Sequence, residues 1–177
     1  MKKAKAYSNK ADRVGVNGIQ KLMKRVHPEQ QNVTIMMIDD EPIMAEIIAA
    51  YLEDDGYRNF VVETDPRNAM KSLKKNAPDL LLLDLVMPNV SGFEVLKLIR
   101  SEEHFAHLPV IILTSSTDTE NKLKALELGA TDFLAKPVDE IELRLRVKNT
   151  LAAKAYIDQL AFYDPVTNLP NMALFMQ

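Results

Sequence analysis

Five side chains in this 177-residue chain stand where apolar runs stop. Asp39 and Asp40 follow VTIMMI, Asp84 follows LLLL, Thr114 follows PVIIL and Lys136 follows TDFLA. Each alone has an ordinary explanation: a turn aspartate, a charged pair at a helix start, a lysine facing water. As a set they have a chemistry. Three carboxylates brought close together repel and call for a cation. An all-oxygen donor set favours Mg²⁺, which takes few carboxylates and keeps several waters. A carboxylate can also act as a nucleophile. Phosphoryl transfer then needs positioning and positive charge on the equatorial oxygens. Mg²⁺ and Lys136 would supply the charge, and Thr114 a hydrogen bond.

These residues can cooperate only if the elements beneath them bring them to one place. Strands are expected at residues 33–39, 60–64, 79–84, 109–114 and 131–136. Pro42 sits at a first helical position, and a stripe of Ile43, Ile47, Ala50 and Tyr51 leads to Asp55-Gly56. Asp65-Pro66 opens a second helix that ends near Asn76. Ser91 and Glu94 form a capping box for a third, to about Ser101. Thr117 and Glu120 form another for a fourth, closed by Gly129. Asp139 opens a last, long helix to about Tyr163. Alternating strands and helices predict an α/β fold with a parallel sheet, right-handed crossovers and helices on both faces. The third and fourth strands are continuously apolar, as strands buried on both faces are. In such a sheet all carboxyl ends lie along one edge, where ligands bind. Asp39, Asp40, Asp84, Thr114 and Lys136 therefore converge in one cleft.

The composition is 47% hydrophobic and 27% charged, the balance of a globular protein with a real core. The absence of cysteine excludes a disulfide framework and thiolate metal sites, and fits a reducing compartment. No apolar run approaches the ~18 residues of a membrane span. Lys2 and Lys3 are not followed by the apolar segment of a secretory signal. The expectation is a cytoplasmic protein. The net charge of −3 is unevenly spread. Residues 1–32 carry eight Lys/Arg against Asp12 and Glu29, or +6; the rest carries 14 basic and 23 acidic side chains, or −9. In that basic arm, Ile19, Leu22, Met23 and Val26 fall on one face of a short helix, with Asn17 as its cap and His27-Pro28 as its stop. About ten residues are too few for a stable isolated helix, so it must dock on something or stay only partly formed. Binding of nucleic acid or an anionic membrane by the basic arm is the weaker alternative to a solvated tail or a partner-docked helix. His104 and His107 have an HxxH spacing beside Glu102 and Glu103, with no further ligand evident; a solvated loop is expected there.

The segments IDDEP, LLLLDLVMP, VIILTSS and FLAKP together resemble the response-regulator receiver domain of two-component signalling, over about residues 33–155. The resemblance implies a flavodoxin-like, doubly wound, five-stranded sheet of order 2-1-3-4-5. It implies that Asp84 accepts a phosphoryl group from a histidine kinase or phosphotransfer protein. Mg²⁺ would be held by Asp40 directly, by Asp39 mostly through water, by Asp84 and by the backbone carbonyl of Val86. Thr114 and Lys136 would contact the phosphoryl oxygens, and Phe133 would be the aromatic coupled to that threonine. A cis peptide is implied before Pro137. Val86 and Ser116 are positions where variation would change the rate. Such a domain is a switch, with no enzyme activity beyond its own phosphorylation and dephosphorylation.

The last helix, at about 37 Å, outruns what the domain needs. Its second half carries a stripe of Ala153, Tyr156, Ile157 and Leu160, which suggests pairing with a second copy; the alternative is a connector that frays. FYDPVTNLPNMALF (162–175) resembles the opening of a GGDEF-type diguanylate cyclase domain, with Val166 and Met172 in place of the usual leucine and arginine. No two glycines are adjacent, so the signature loop is absent and this chain cannot make cyclic di-GMP. The expected organisation is an arm at 1–32, a receiver domain at 33–150, a helical linker at 151–163 and the start of a truncated output domain at 164–177. The expected function is a phosphorylation-dependent regulator. Its switch face would be helix 4, strand 5 and helix 5, controlling dimerisation and a cyclic-di-GMP output domain absent from this chain. The alternative is a stand-alone adaptor acting by protein–protein binding. No nucleic-acid partner is expected.

Overall fold

The computed structural model describes residues 32–115 and 119–162. Five strands alternate with five α-helices: β1 (Thr34–Ile38), α1 (Pro42–Glu53), β2 (Asn59–Glu63), α2 (Ala69–Asn76), β3 (Leu80–Asp84), α3 (Gly92–Ser101), β4 (Val110–Ser115), α4 (Thr119–Glu127), β5 (Asp132–Lys136) and α5 (Glu140–Phe162). All pairings are parallel, in the order β2-β1-β3-β4-β5. This is the expected flavodoxin-like sheet.

The strand pleat explains why the central strands read as unbroken apolar runs. Leu81 and Leu83 join Met36, Ile38, Val110 and Ile112 in one core layer, which α2, α3 and α4 cover through Leu73, Val95, Leu96, Ile99 and Ala125. Leu80 and Leu82 point the other way, into a layer with Ile35, Met37, Ile111 and Leu113. There α1 and α5 close over them with Ile48, Leu52, Leu143 and Val147. Successive side chains leave opposite faces of a strand, and both faces of β3 are roofed by helices.

One expected stripe holds only at its end: Tyr51 packs against the core, and Ala50 is exposed. Ile43 and Ile47 are exposed, and the face of α1 that meets the sheet carries Ala45, Ile48 and Leu52. The segment PIMAEIIAAYL is apolar nearly all round, so its periodicity permits either face; the sheet selects the one whose residues fit beside β1. The capping predictions fare better. Ser91 and Glu94 form the complete box at the start of α3, and Asp139 accepts from the Glu142 amide at the start of α5. Gly129 adopts φ +92° beyond α4. The proposed Thr117 cap, Ser116, the helix expected around Ile19–Val26 and the segment from Tyr163 on lie outside the described residues.

Two contacts lock loops on either side of the strands. Arg100, at the end of α3, donates through Nε and Nη2 to the Gly129 carbonyl (2.9 and 2.7 Å) and through Nη1 to the Phe105 carbonyl (3.2 Å). Gly92 opens α3 against the backbone that leaves β3. A Cβ there would lie 2.1 Å from the Asp84 carbonyl oxygen and 2.8 Å from the Leu85 Cα. Both obstacles are main chain and cannot turn aside. Gly92→Ala is therefore expected to lower stability by about 1–3 kcal/mol, read as a drop in the urea midpoint at unchanged m. A midpoint equal to the parent's would contradict this packing.

Candidate functional site

The register converts sequence distance into proximity. Ile38 pairs with Leu83, Asp84 with Leu113, and Ser115 with Lys136, so Asp39, Asp84, Thr114 and Lys136 stand at the carboxyl ends of four successive strands. From β1 to β5 is three inter-strand steps, about 14 Å. Only a long side chain can bridge that gap from the sheet edge, and Lys136 does so by reaching back across β4. Its Nζ lies 3.0 Å from Asp39 Oδ2 and 3.1 Å from Asp84 Oδ2. Asp39, Asp40 and Asp84 each offer a carboxylate oxygen within 4.8 Å of the others, a group that could hold a metal ion.

Local turns aim the two buried carboxylates. Asp39 Oδ1 accepts from the Glu41 amide at 2.8 Å, and Asp84 Oδ1 accepts from the Val86 amide at 3.2 Å. Both are bonds from a side chain to the backbone two residues on, the habit of aspartate at turns. Each carboxylate thus gives one oxygen to its own loop and the other to Lys136. Asp39, Asp84 and Thr114 are all buried. Among the described residues the Thr114 hydroxyl has no hydrogen-bond partner, while Val86 next to Asp84 is 76% exposed and open to an incoming group.

The charges do not balance. Three carboxylates face one ammonium, leaving a formal excess of two negative charges that a divalent cation would cancel. Burial pushes the Asp84 carboxyl above its usual 3.8; Lys136 and the Val86 amide pull it down, the neighbouring Asp39 charge pushes it up, and the net direction is up. For Lys136, burial is the largest single influence and works downward, but Asp39 and Asp84 together outweigh it and the ammonium is held above its usual range. One cation shared between two acids is fully satisfied; the acids are not. The donor set is all oxygen, hard and anionic, and fits Mg²⁺.

The peptide between Lys136 and Pro137 is cis. Phe133 is half-buried on β5, with the Lys122 ammonium 5.0 Å and the Arg146 guanidinium 5.6 Å from its ring centre. Arg146 also holds Asp132 at 2.6 Å and Glu142 at 2.7 Å. Sequence reading passed over this pair of cations: Lys122 lies on α4 and Arg146 on α5, and only the fold shows that both face one ring. His104 and His107 line a shallow cleft near Phe105 and Asp158 and join no metal-binding group among the described residues.

The family described as the response regulator receiver domain matches residues 35–148. The chain belongs to that family. Among curated relatives, the probable transcriptional regulatory protein TcrX of Mycobacterium tuberculosis is 36% identical over 118 residues, covering 66% of this chain and 49% of TcrX. The transcriptional regulatory protein YvrH of Bacillus subtilis is 34% identical over 148 residues, covering 81% of this chain and 61% of YvrH. The solved receiver domain of the Francisella response regulator 1452 superposes with a TM-score of 0.63 at 31% identity, covering 70% of this chain and 99% of that one. The chain thus spans about half to three-fifths of the length of these curated relatives, and nearly all of a receiver domain. Receiver domains act in phosphorylation-dependent two-component signalling. Among the described residues, no helix is long and apolar enough to cross a membrane.

The raised Asp84 carboxyl has a consequence for stability. A group whose folded pKa lies above its unfolded value adds stability at low pH, and that stability is lost as pH rises through the folded pKa. At neutral pH without metal, ionised Asp84 is a net cost to the fold. Asp84→Asn should therefore raise the melting temperature at pH 7 in chelated buffer by ~2–4 °C, the effect of about 1 kcal/mol in a chain this long. The gain should shrink on acidification as the parent carboxyl takes up its proton. A lower melting temperature for the variant at pH 7 would refute the assignment of strain to this carboxylate.

Proposed function

We propose that this receiver domain is a Mg²⁺-dependent switch with Asp84 as its phosphoacceptor. The observation that carries the reading is the Asp84 carboxylate at the end of the central strand, buried, held at 3.1 Å by Lys136 and clustered with Asp39 and Asp40. Mg²⁺ would be bound by Asp40, by Asp39 mostly through water, by Asp84 and by the Val86 carbonyl. When bound, it neutralises charge on the phosphoryl oxygens. Asp84 attacks the phosphorus of a phosphohistidine on a histidine kinase or phosphotransfer protein. A new O–P bond forms, the N–P bond breaks, and the imidazole leaves with the bonding pair and takes up a proton. Lys136 exchanges part of its contact with the carboxylates for the incoming oxygens, and Thr114 donates its hydroxyl hydrogen to one of them.

That last bond is the proposed trigger. Thr114 drawn toward Asp84 vacates space, Phe133 turns inward, and the α4-β5-α5 face is remodelled. In this reading residues 1–32 are an arm, 33–150 the receiver, 151–163 a linker, and 164–177 the start of an output domain of cyclic-di-GMP signalling. The resemblance of residues 162–175 to a GGDEF-type entry supports that output, and the exposed Tyr156, Ile157 and Leu160 support dimerisation on activation. An adaptor acting by protein binding is favoured by a different observation: Ile43 and Ile47 leave an apolar face on α1, next to the acidic cluster.

The test is incubation with Mg²⁺ and a small acyl-phosphate donor, read by intact mass. The parent should gain one phosphoryl group, Asp84→Asn none, and chelation should abolish the gain. Lys136→Met should slow transfer by about 100-fold, the scale of losing one preorganised positive donor. Labelling of Asp84→Asn at the parent's rate would overturn the assignment. Beryllofluoride with Mg²⁺ should change the oligomeric state; an unchanged state would remove dimerisation from the reading and leave phosphorylation standing.

A further inference from the structure

Among the described residues α5 carries an apolar stripe that meets no core, and the sequence predicts a second stripe in the N-terminal arm. The first is on α5. Leu143 and Val147 pack onto the sheet, and Leu151 is the last residue of this helix that meets the core. Beyond it Tyr156 and Ile157 are each 63% exposed and Leu160 is 45% exposed. With Ala153 they follow the i, i+3, i+4, i+7 spacing of one helix face, turned away from the domain. The second stripe is Ile19, Leu22, Met23 and Val26, which the sequence predicts for one face of a helix over about residues 17–27, with Lys21, Lys24 and Arg25 on the other face. Such a short helix is marginal in water unless its apolar face is covered.

The point where the arm joins the fold lies beside α5. Thr34 is latched to the start of β3: its amide donates to Asp79 Oδ2 at 2.9 Å and its carbonyl accepts from the Asp79 amide at 2.8 Å. Val33, just before it, packs against the same core layer as Leu151. Residues 28–33 can span about 20 Å when extended, and Ile157 lies only about 9 Å along the helix from Leu151. The outer stripe of α5 is within the arm's reach.

We infer that residues 17–27 fold back over α5 and cover Ala153, Tyr156, Ile157 and Leu160 of their own chain. Net charge permits this, with +6 on the arm and −9 on the remainder of the chain, while the charges beside the stripe, Lys154 and Asp158, form a balanced pair. Tethering favours it over a second copy. A segment on a short linker acts at an effective concentration of ~1 mM, about a thousandfold above a second chain at ~1 μM. The arm would then compete with any dimer formed through this stripe.

The chain has no cysteine, so a pair can be introduced cleanly. In the full chain, unphosphorylated and at low micromolar concentration, Leu22→Cys with Ile157→Cys should form an intramolecular disulfide at monomer mass under mild oxidation. It should form at least about tenfold faster than Leu22→Cys with Leu98→Cys, since Leu98 is exposed on α3 at the opposite face of the sheet. Equal rates for the two pairs would overturn the inference. So would products mainly at dimer mass, which would assign the stripe to a second copy. As an independent readout, Leu22→Asp with Met23→Asp should speed amide exchange across Ala153–Leu160 and leave Leu80–Leu83 unchanged. Unchanged exchange in both segments would also overturn it. None of these measurements involves phosphate, so their failure would leave the Asp84 assignment untouched.

Discussion

A single ammonium between two buried carboxylates organises the functional end of this fold. Lys136 spans from one edge of the sheet to β1, and in doing so ties together residues 97 positions apart. The tie is incomplete by charge count, since Asp39, Asp40 and Asp84 outnumber it. That shortfall makes the cluster a candidate metal site and not merely an ion pair. A buried pair with matched charges has nothing left to offer, whereas this one retains electrostatic demand and a lysine able to shift between partners.

The rest of the molecule supplies the rigidity that such demand requires. Mutual repulsion would spread three carboxylates apart if their strands could move. Leu80 to Leu83 are buried on both sides, and their neighbours on β1 and β4 are equally enclosed. Gly92 lets α3 press directly on the backbone after Asp84, and the Asp39 and Asp84 side chains are each pinned by an amide two residues ahead. The two edges of the sheet differ from this centre. On β5 Phe133 is only half-buried, between a lysine and an arginine from different helices. A ring that meets the core on one side and two cations besides is freer to change position than one enclosed among leucines.

The legible parts of the sequence were those governed by local rules. Apolar runs ending on Asp39, Asp84, Thr114 and Lys136 located the strands, and parallel topology then placed their ends on one edge. Ser91 with Glu94 marked a helix start through a bond pattern internal to four residues. What could not be read was set by contacts between distant segments. In α1 a helix apolar on most sides leaves its inward face to be chosen by the sheet, and the stripe of Ile43 and Ile47 proved to face water. The convergence of Lys122 and Arg146 on Phe133, and of Arg100 on Gly129, has no local signature at all. A long cation on a helix usually lies in solvent, and only the packed fold reveals which ones turn inward.

The length of α5 has a mechanical consequence. Its 23 residues form a rod of about 34 Å, clamped along its first half by Leu143, Val147 and Leu151 and by the Arg146 and Arg144 ion pairs. The remaining turns extend about 16 Å past the last core contact at Leu151, with Lys154 and Asp158 lining the cleft of His104 and His107. A tilt of ~5° at the clamp would therefore sweep the far end by roughly 1.4 Å, on the scale of shifts that repack helix interfaces. The helix can act as a lever whose fulcrum adjoins β5, so a rearrangement around Phe133 would arrive amplified at its far end.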